Sequence, residues 1–303
     1  MTLPNIARQR DETPDVTLER RRMSFARMTL HHLRTKPLGT AGLLMVLTIT
    51  VVAIFAPAIA PFDYQAQNYE AVRSAPNSTQ LFGTDQFGRD VFSRVVYGAR
   101  ISLIVGFFSV LAGTGVGAVI GLFSGYFMGK TDAVIQRLVD MWMSLPDLIL
   151  ALVFVAALGN SIPNIILAIG ATILPRGVRV IRSSTISLRE TDYVMAARAI
   201  GSSDMRIILR HIAPNTMAPF LIIMSSMFGT AILTEAGLSF LGLGISEPTP
   251  SWGRMLTGQA AQYLSTAPWI LVFPGLAISV TVLGFAFAGD ALRDILDPRQ
   301  RGR

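Results

Sequence analysis

Six long apolar runs constrain the fold of this chain more than any other feature of its sequence. A helix needs about 20 mostly apolar residues to cross the hydrocarbon core of a membrane. Runs of this kind cover residues 38–60, 101–127, 134–158, 162–180, 217–243 and 269–288. With 51% hydrophobic and only 15% charged residues, the chain is too apolar for an ordinary soluble domain. We therefore expect an all-α, polytopic membrane protein with about six transmembrane helices.

Two of these runs differ from a simple span. The third is interrupted by Arg137, Asp140, Pro146 and Asp147, so the sequence predicts six spans to within one. The first ends in Ala58-Ile59-Ala60, which imitates the cleavage site of a secretory leader. A charged region of nearly forty residues precedes it, and the run has the length of a membrane span, so an uncleaved first helix is favoured.

The distribution of Lys and Arg predicts the orientation, since these residues are retained on the cytoplasmic side. Eight precede the first run, Lys130 and Arg137 flank the second turn, seven lie between residues 176 and 210, and four close the chain. The alternate segments 61–100, 159–161 and 244–268 contain four, none and one. Both termini are therefore expected in the cytoplasm. The basic N-terminal residues are expected at the membrane surface, with no nucleic acid as a partner.

These assignments divide the chain into five parts. Residues 1–37 form a basic cytoplasmic tail, residues 38–60 the first transmembrane helix, and residues 61–100 a periplasmic segment. Residues 101–290 form a five-helix core that carries a cytoplasmic helical tract at 190–215. Residues 291–303 form a second cytoplasmic tail.

Few residues are available for catalysis or metal binding. The chain has no cysteine, which excludes disulfides, thiolate metal sites and cysteine nucleophiles, and its three histidines, His31, His32 and His211, form no HExxH pattern. Gly129-Lys130-Thr131 resembles the end of a P-loop, but Ser124 stands where that loop requires a glycine, and no strand-like stretch precedes it. We therefore expect no enzymatic activity, no metal site and no cofactor bound by this chain.

Gly129 is also the last of a stripe of regularly spaced glycines. Glycines recur every fourth position at Gly113, Gly117, Gly121, Gly125 and Gly129, which aligns them along one face of a helix. Small residues at this spacing allow a second membrane helix to approach closely. The stripe therefore predicts a helix-packing face.

The basic tract between the fourth and fifth runs has the pattern of two short helices. Tyr193, Ala196, Ala197 and Ile200 form an apolar face at helical spacing. Gly201 suits a C-terminal cap, Ser202 or Ser203 can cap the next helix, and Pro214 marks its end. The shallow face favours docking on a protein over the alternative, an amphipathic segment lying on the membrane surface.

The tract resembles the cytoplasmic signature of one family, the permease subunits of ATP-binding-cassette importers of the dipeptide and oligopeptide branch. That signature is EAA, three residues, Gly, nine residues, then I-x-L-P, and Ala196, Ala197, Gly201 and Pro214 match it in register. Met195, His211 and Ala213 depart from it. Further blocks similar to the family are LFGTDQFGRDVFSRVVYGARISL, TEAGLSFLGLG, PSWGRML and GDALRDILDPR, in the right order between residues 81 and 299.

This resemblance implies a type I importer permease in a bacterial inner membrane. It also implies a homologous second permease subunit, two ATP-binding subunits that bind ATP and Mg, and an extracytoplasmic solute-binding protein. The residues it assigns to ATPase coupling are Tyr193, Ala196, Ala197, Arg198, Gly201, Asp204, His211 and Pro214. The solute would be a di- or oligopeptide.

Three alternatives remain open at this stage. The same architecture can import another solute, such as a nickel chelate, glutathione or an opine-like compound. An ATP-independent secondary transporter would need ionisable groups near mid-membrane, for which Glu235 and, nearer the cytoplasmic edge, Asp140 are the candidates for a pathway or gate. A membrane-embedded hydrolase lacks a catalytic constellation. For Glu235 we favour a buried carboxyl group hydrogen-bonded to a neighbouring helix over solute contact.

Overall fold

The fold is a bundle of long apolar helices. The computed structural model describes residues 37–257 and 262–296. The predicted N-terminal tail 1–37 lies almost wholly outside these residues, whereas residues 291–296 of the predicted C-terminal tail still belong to the last helix, so the boundary at residue 290 is too early. Five helical spans there are long and apolar enough to cross a membrane, or six if one bent helix pair counts as a span. The helices are α1 Pro37–Ile54, α2 Ala56–Ile59, α3 Val91–Phe127, α4 Gly129–Met143, α5 Asp147–Leu158, α6 Ile162–Arg189, α7 Asp192–Ala199, α8 Asp204–Ile207, α9 Met217–Phe240, α10 Trp252–Met255 and α11 Trp269–Leu296.

The first helix is shorter than the apolar run that predicts it. Helix α1 ends at Ile54, and the short helix α2 follows, with Pro57 in its first turn. Proline lacks the amide hydrogen that a continuing helix needs but is tolerated in the first turn of a helix, so it restarts a helix more readily than it continues one. The apolar run 38–60 therefore contains two helices instead of one.

Helix α3 begins ten residues before the predicted span, so the predicted segment 61–100 includes its first turns. The side chain of Asp90 accepts a hydrogen bond from the amide of Ser93 at 2.7 Å and caps the helix. Arg94 lies in the first turn of α3, and its charge lowers the hydropathy of this part of the sequence, so hydropathy does not indicate a membrane span there. Its side chain is 2% exposed and packed inside the protein. The helix therefore starts within a polar protein contact and not within an apolar run.

The third predicted span is broken. Helices α4 and α5 meet at an angle of 91° across Ser144, Leu145 and Pro146. Pro146 disfavours helical geometry at Leu145, which explains why the helix stops there. The polar residues that interrupt the sequence run thus coincide with a bend in the chain.

Helices α3 and α6 are interlocked through the glycine stripe. A Cβ atom on Gly113, Gly117, Gly121 or Gly125 would lie 2.4–2.7 Å from the carbonyl oxygens of Gly170, Leu174, Val178 and Arg182, respectively. Residue numbers rise together on both sides, so the two helices run in parallel, with backbone against backbone. Gly129 lies beyond the end of α3 and does not belong to this contact.

Two further contacts complete the bundle. Helix α1 packs on α11 through Gly42, whose added Cβ would lie 2.9 Å from the carbonyl oxygen of Gly284. The main hydrophobic core lies among α3, α5, α6 and α9 and includes Ile169, Phe228 and Ile232. The segments 61–90 and 241–257 lie together at one end of the bundle, the loop end. The tract Asp192–Thr216 lies at the other, the tract end.

Candidate functional site

The tract at 192–216 forms two helices joined by a glycine turn. Gly201 has φ +80°, the amide of Ser202 donates to the carbonyl of Ala197, and the amide of Gly201 donates to that of Arg198, both at 3.0 Å. This is the pattern of a Schellman cap, in which glycine avoids the strain of a left-handed residue. Helix α8 follows after Ser203 as expected, although the Ser203 side chain makes no capping hydrogen bond.

Pro214 does not end the helical path, in contrast to the sequence prediction. The chain continues from α8 through a π-helical turn at Ile208–Ile212 and a 3-10 turn at Ala213–Thr216 directly into α9. The wider and tighter turns accommodate the missing amide hydrogen of Pro214. One helical path therefore joins the tract to the span that carries Glu235.

The tract presents a different apolar face from the one that its sequence suggests. Ala197 is 6% exposed and packs with Val194, Ile208 and Tyr126 in a small core of this chain, so its assignment to a face with Tyr193, Ala196 and Ile200 is wrong. Tyr193, Ala196 and Ile200 are exposed. Helical periodicity alone could not decide which apolar side chains face the chain's own helices.

Two charged residues anchor the tract to the end of α3. The Tyr126 hydroxyl donates a hydrogen bond to Oδ1 of Asp204 at 2.6 Å. The guanidinium of Arg198 lies 5.7 Å from the centre of the Tyr126 ring, within the range of a cation–π contact. Arg198 and Asp204 therefore contact the membrane bundle itself.

The C-terminal part of the tract is tied together through the carbonyl oxygen of His211. This oxygen accepts a hydrogen bond from Nδ2 of the Asn215 side chain at 2.7 Å and lies 3.5 Å from the Tyr193 hydroxyl. The rings of Tyr193 and His211 have their centres 6.4 Å apart. These contacts bring Tyr193 and His211, both predicted to take part in ATPase coupling, to one side of the tract.

Three ion pairs connect α6 to the bent helix pair. The carboxylate of Asp132 accepts two hydrogen bonds from Arg182, one from Nε at 2.6 Å and one from an amino group at 2.5 Å. Arg179 pairs with Asp140, and Arg176 with Asp147, each at 2.6 Å. Asp140, a candidate for a pathway or gate, thus has a definite partner, and both its side chain and that of Arg179 are about half exposed. Its role in a pathway stays a prediction.

Glu235, the second candidate, is enclosed by protein. Its side chain is 1% exposed, and Oε1 accepts hydrogen bonds from the hydroxyls of Ser239 and Ser251, both at 2.8 Å. Oε2 has no hydrogen-bond partner among the residues that the structure describes. Ser251 precedes α10, so Glu235 links α9 to the loop end. Contact with a solute stays a prediction.

Trp252 wedges the start of α10 between α3 and α9. It is 2% exposed, its indole donates to the carbonyl of Val95 at 2.9 Å, and its ring lies against Gly98. On the other side, a Cβ on Gly253 would lie 2.5 Å from Cα of Ala236. The PSWGRML block, to which the sequence assigns no role, therefore fixes the position of the loop end.

A charged cluster at the loop end was not identified from the sequence. Arg89 donates from Nε to Asp85 at 2.6 Å and from an amino group to Glu247 at 2.7 Å. Arg94 and Arg254 lie nearby, and the five side chains line a cavity of about 230 Å³. Burial opposes the charged form of Glu247, but the hydrogen bond from Arg89 and the charges of the arginines outweigh it and lower its pKa. The only hint in the sequence is the presence of charges beside apolar spans.

Metal ligands do not converge in the described residues. No group of three His, Asp or Glu side chains with the geometry to hold a metal ion occurs within 37–257 or 262–296. Gly129-Lys130-Thr131 forms the first turn of α4 and follows a helix instead of a strand.

Comparisons with known families agree with this architecture. Residues 117–302 match the model of the binding-protein-dependent transport system inner membrane component, and residues 24–76 match the N-terminal TM domain of oligopeptide transport permease C. The chain is similar to the dipeptide transport system permease protein DppC of Alkalihalophilus pseudofirmus, with 42% identity over 91% of this chain and 90% of the relative. It is equally similar to the glutathione transport system permease protein GsiD of Escherichia coli, with 42% identity over 89% of each chain.

A solved structure shares the fold. A chain of the inward-facing MetNI methionine ABC transporter superposes with a TM-score of 0.55 and 17% sequence identity. The match covers 67% of this chain and 96% of that chain. At this identity the likeness concerns the fold alone.

Proposed function

Since this chain belongs to the family of binding-protein-dependent transport system inner membrane components, we propose that it is a permease subunit of an ATP-driven importer for di- or oligopeptides. The observation that carries the proposal is the 42% identity to a dipeptide permease over 91% of the chain. An ATP-independent transporter is not supported, because the family is defined by binding-protein-dependent transport.

The proposed complex contains a second, homologous permease, two ATP-binding subunits and an extracytoplasmic binding protein in a bacterial inner membrane. The ATP-binding subunits hold ATP and Mg, and this chain holds neither. The tract end faces the cytoplasm, as do both termini. This orientation rests on the charge distribution, because Lys130, Arg137 and the seven arginines from Arg176 to Arg210 lie towards the tract end.

In this proposal the tract couples ATP hydrolysis to movement of the membrane helices. The exposed side chains of Tyr193, Ala196 and Ile200 contact an ATP-binding subunit, while Val194 and Ala197 attach the tract to the bundle. A shift of the ATP-binding subunits then biases the bundle between two arrangements. The continuous path from α8 into α9 carries the movement towards Glu235.

The direct test uses two neighbouring alanines that face opposite ways. Ala196→Glu places a charge on the exposed face, so the ATP-binding subunits are expected to dissociate on purification while the permease pair remains assembled. Ala197→Glu buries a charge inside this chain and is expected to destabilise the permease itself. Ala196→Ser is the matched control. Retention of the ATP-binding subunits and of uptake by Ala196→Glu would contradict the proposed contact.

Glutathione is a second candidate solute, because a glutathione permease shows the same identity as the dipeptide permease. Uptake of labelled dialanine and of labelled glutathione in cells with and without this chain distinguishes the two. The proposal expects uptake of dialanine to depend on the chain. Dependence of glutathione uptake alone would transfer the assignment to glutathione.

A further inference from the structure

The cavity at the loop end contains guanidinium groups whose hydrogen-bonding capacity is not filled. Its charged lining consists of Arg89, Arg94 and Arg254 against the carboxylates of Asp85 and Glu247. Arg89 is hydrogen-bonded to both carboxylates, to Asp85 at 2.6 Å and to Glu247 at 2.7 Å. The lining thus has one positive charge more than it has carboxylates to balance it.

The other two arginines are paired only at long range. Arg94 lies 3.6 Å from Asp85 and 4.0 Å from Glu247, and Arg254 lies 3.8 Å from Glu247. Hydrogen bonds from nitrogen to oxygen span about 2.7–3.2 Å, so none of these three contacts is one. Arg94 donates to the carbonyl of Tyr64 at 3.0 Å, and Arg254 has no side-chain hydrogen bond within the described part of the chain.

The size of the cavity restricts what can enter it. Its volume of about 230 Å³ is below the ~300–1,000 Å³ typical of pockets that enclose a whole small-molecule ligand. It is sufficient for the end group of a larger molecule. A carboxylate matches the planar fork of a guanidinium and the sign of the unbalanced charge.

We propose that this cavity binds a carboxylate group that arrives from outside and shares or replaces the contacts of Glu247 with Arg94 and Arg254. Glu247 is suited to displacement because its side chain is 40% exposed and lies in the loop after α9, whereas Asp85 is 5% exposed. The same loop continues to Ser251, whose hydroxyl donates a hydrogen bond to Glu235 of α9. Occupation of the cavity therefore affects the loop that attaches α9 to the loop end. The inference depends on the proposed orientation, with the loop end facing outwards.

The absence of cysteine from the chain permits a direct test. A single cysteine replaces Gln86, which lines the cavity and makes no side-chain hydrogen bond within the described residues, and a second variant carries Ser78→Cys in the exposed part of the same segment as a reference. Reaction rates with an anionic and a cationic methanethiosulfonate reagent are measured on the assembled complex in right-side-out membrane vesicles at low salt. The ratio of the two rates reports the charge preference of each position.

We expect the anionic reagent to be preferred at position 86 by about tenfold relative to position 78. Adding Arg254→Gln should remove most of this preference, and adding Glu247→Gln should increase it. Arg73→Gln, which removes an exposed arginine of the same segment, is the control and should leave the ratio unchanged. An equal ratio at positions 86 and 78, or a ratio insensitive to Arg254→Gln, would overturn the proposal.

Two further arms identify the source of the carboxylate and separate this inference from the proposed function. Protection of the cysteine by glutarate, but not by glutaramide, would show that a free small carboxylate enters. If the charge preference holds and neither compound protects, a free small carboxylate is excluded as the source. If Ser78→Cys does not react from outside, the proposed orientation fails. If it reacts and position 86 shows no preference, only the carboxylate site fails.

Discussion

The hydroxyl of Tyr126 donates a hydrogen bond of 2.6 Å to Oδ1 of Asp204, across 78 residues of sequence. Tyr126 lies in the last turn of α3 and is 3% exposed, whereas Asp204 begins α8. The bond therefore fixes the middle of the tract to the helix that is interlocked with α6. It is a direct connection between the proposed ATPase contact and the membrane bundle.

Loss of this hydroxyl should loosen the tract. Tyr126→Phe removes a hydrogen bond to a charged group, which contributes roughly 1.5–3 kcal/mol, and the lower end is expected because Asp204 is exposed. Hydrogen exchange of residues 192–212 should become faster by about tenfold, while exchange in α3 and α6 stays unchanged. Tyr193→Phe is the control, since its hydroxyl makes only long contacts, at 3.4 Å with the Asn215 side chain and at 3.5 Å with the carbonyl of His211. Equal exchange rates in the two variants would mean that the bond does not hold the tract.

The glycine interlock predicts a contrast between two glycines of the same helix. Gly117→Ala places a Cβ 2.6 Å from the carbonyl oxygen of Leu174 and should destabilise the protein by about 1–3 kcal/mol. Gly115→Ala meets no atom within 4 Å and should be neutral or stabilising by up to about 1 kcal/mol, because alanine favours the helix. Thermal unfolding in detergent measures both. Similar stabilities would show that α3 and α6 are not in backbone contact.

The three ion pairs along α6 should contribute unequally. The side chain of Asp132 is 13% exposed and receives two hydrogen bonds from Arg182, so Asp132→Asn should cost about 1–3 kcal/mol. Asp140→Asn should cost less than about 1 kcal/mol, because both members of that pair are half exposed. Unfolding of the two variants under the same conditions provides the measurement. A larger loss for Asp140→Asn would indicate that Asp140 has a role beyond its pair with Arg179.

The loop-end cluster should respond to acid through Glu247. A carboxyl group whose pKa is lowered on folding stabilises the folded state above its unfolded pKa, near 4.3, and loses that contribution as the pH falls through the lower folded value. The difference in unfolding temperature between the wild type and Glu247→Gln should therefore be present at pH 6 and shrink between about pH 5 and 3. A difference that grows with acidification would contradict the direction of the pKa shift.

The spans were largely predictable because hydropathy reports the requirement that a lipid environment imposes. The run 217–243 corresponds to Met217–Phe240, and the run 162–180 lies within Ile162–Arg189. The start of α3 was missed because Arg94 is buried by protein contacts, which hydropathy does not register. The bend at Pro146 was visible only as a polar interruption, since its angle depends on how α4 and α5 pack.

The candidate sites were predictable only where they are local in sequence. The Gly201 turn follows from residues within one short segment, and its φ of +80° agrees with the need for glycine. The inward direction of Ala197 depends on Tyr126 and Ile208, which no periodicity within α7 reveals. The pair between Arg89 and Glu247 joins residues 158 positions apart, so only the folded chain brings it together.

The regular spacing of the α3–α6 interlock limits how these helices can move. Each glycine faces a carbonyl oxygen four residues further along from the previous one, and a helix rises 1.5 Å per residue. Sliding one helix along the other by less than a full step, about 6 Å, would drive larger side chains into backbone that only glycine clears. Helices α3 and α6 therefore move as one rigid body. Any change of shape during a transport cycle must occur around this pair, at the bend between α4 and α5, at the loop end and in the tract.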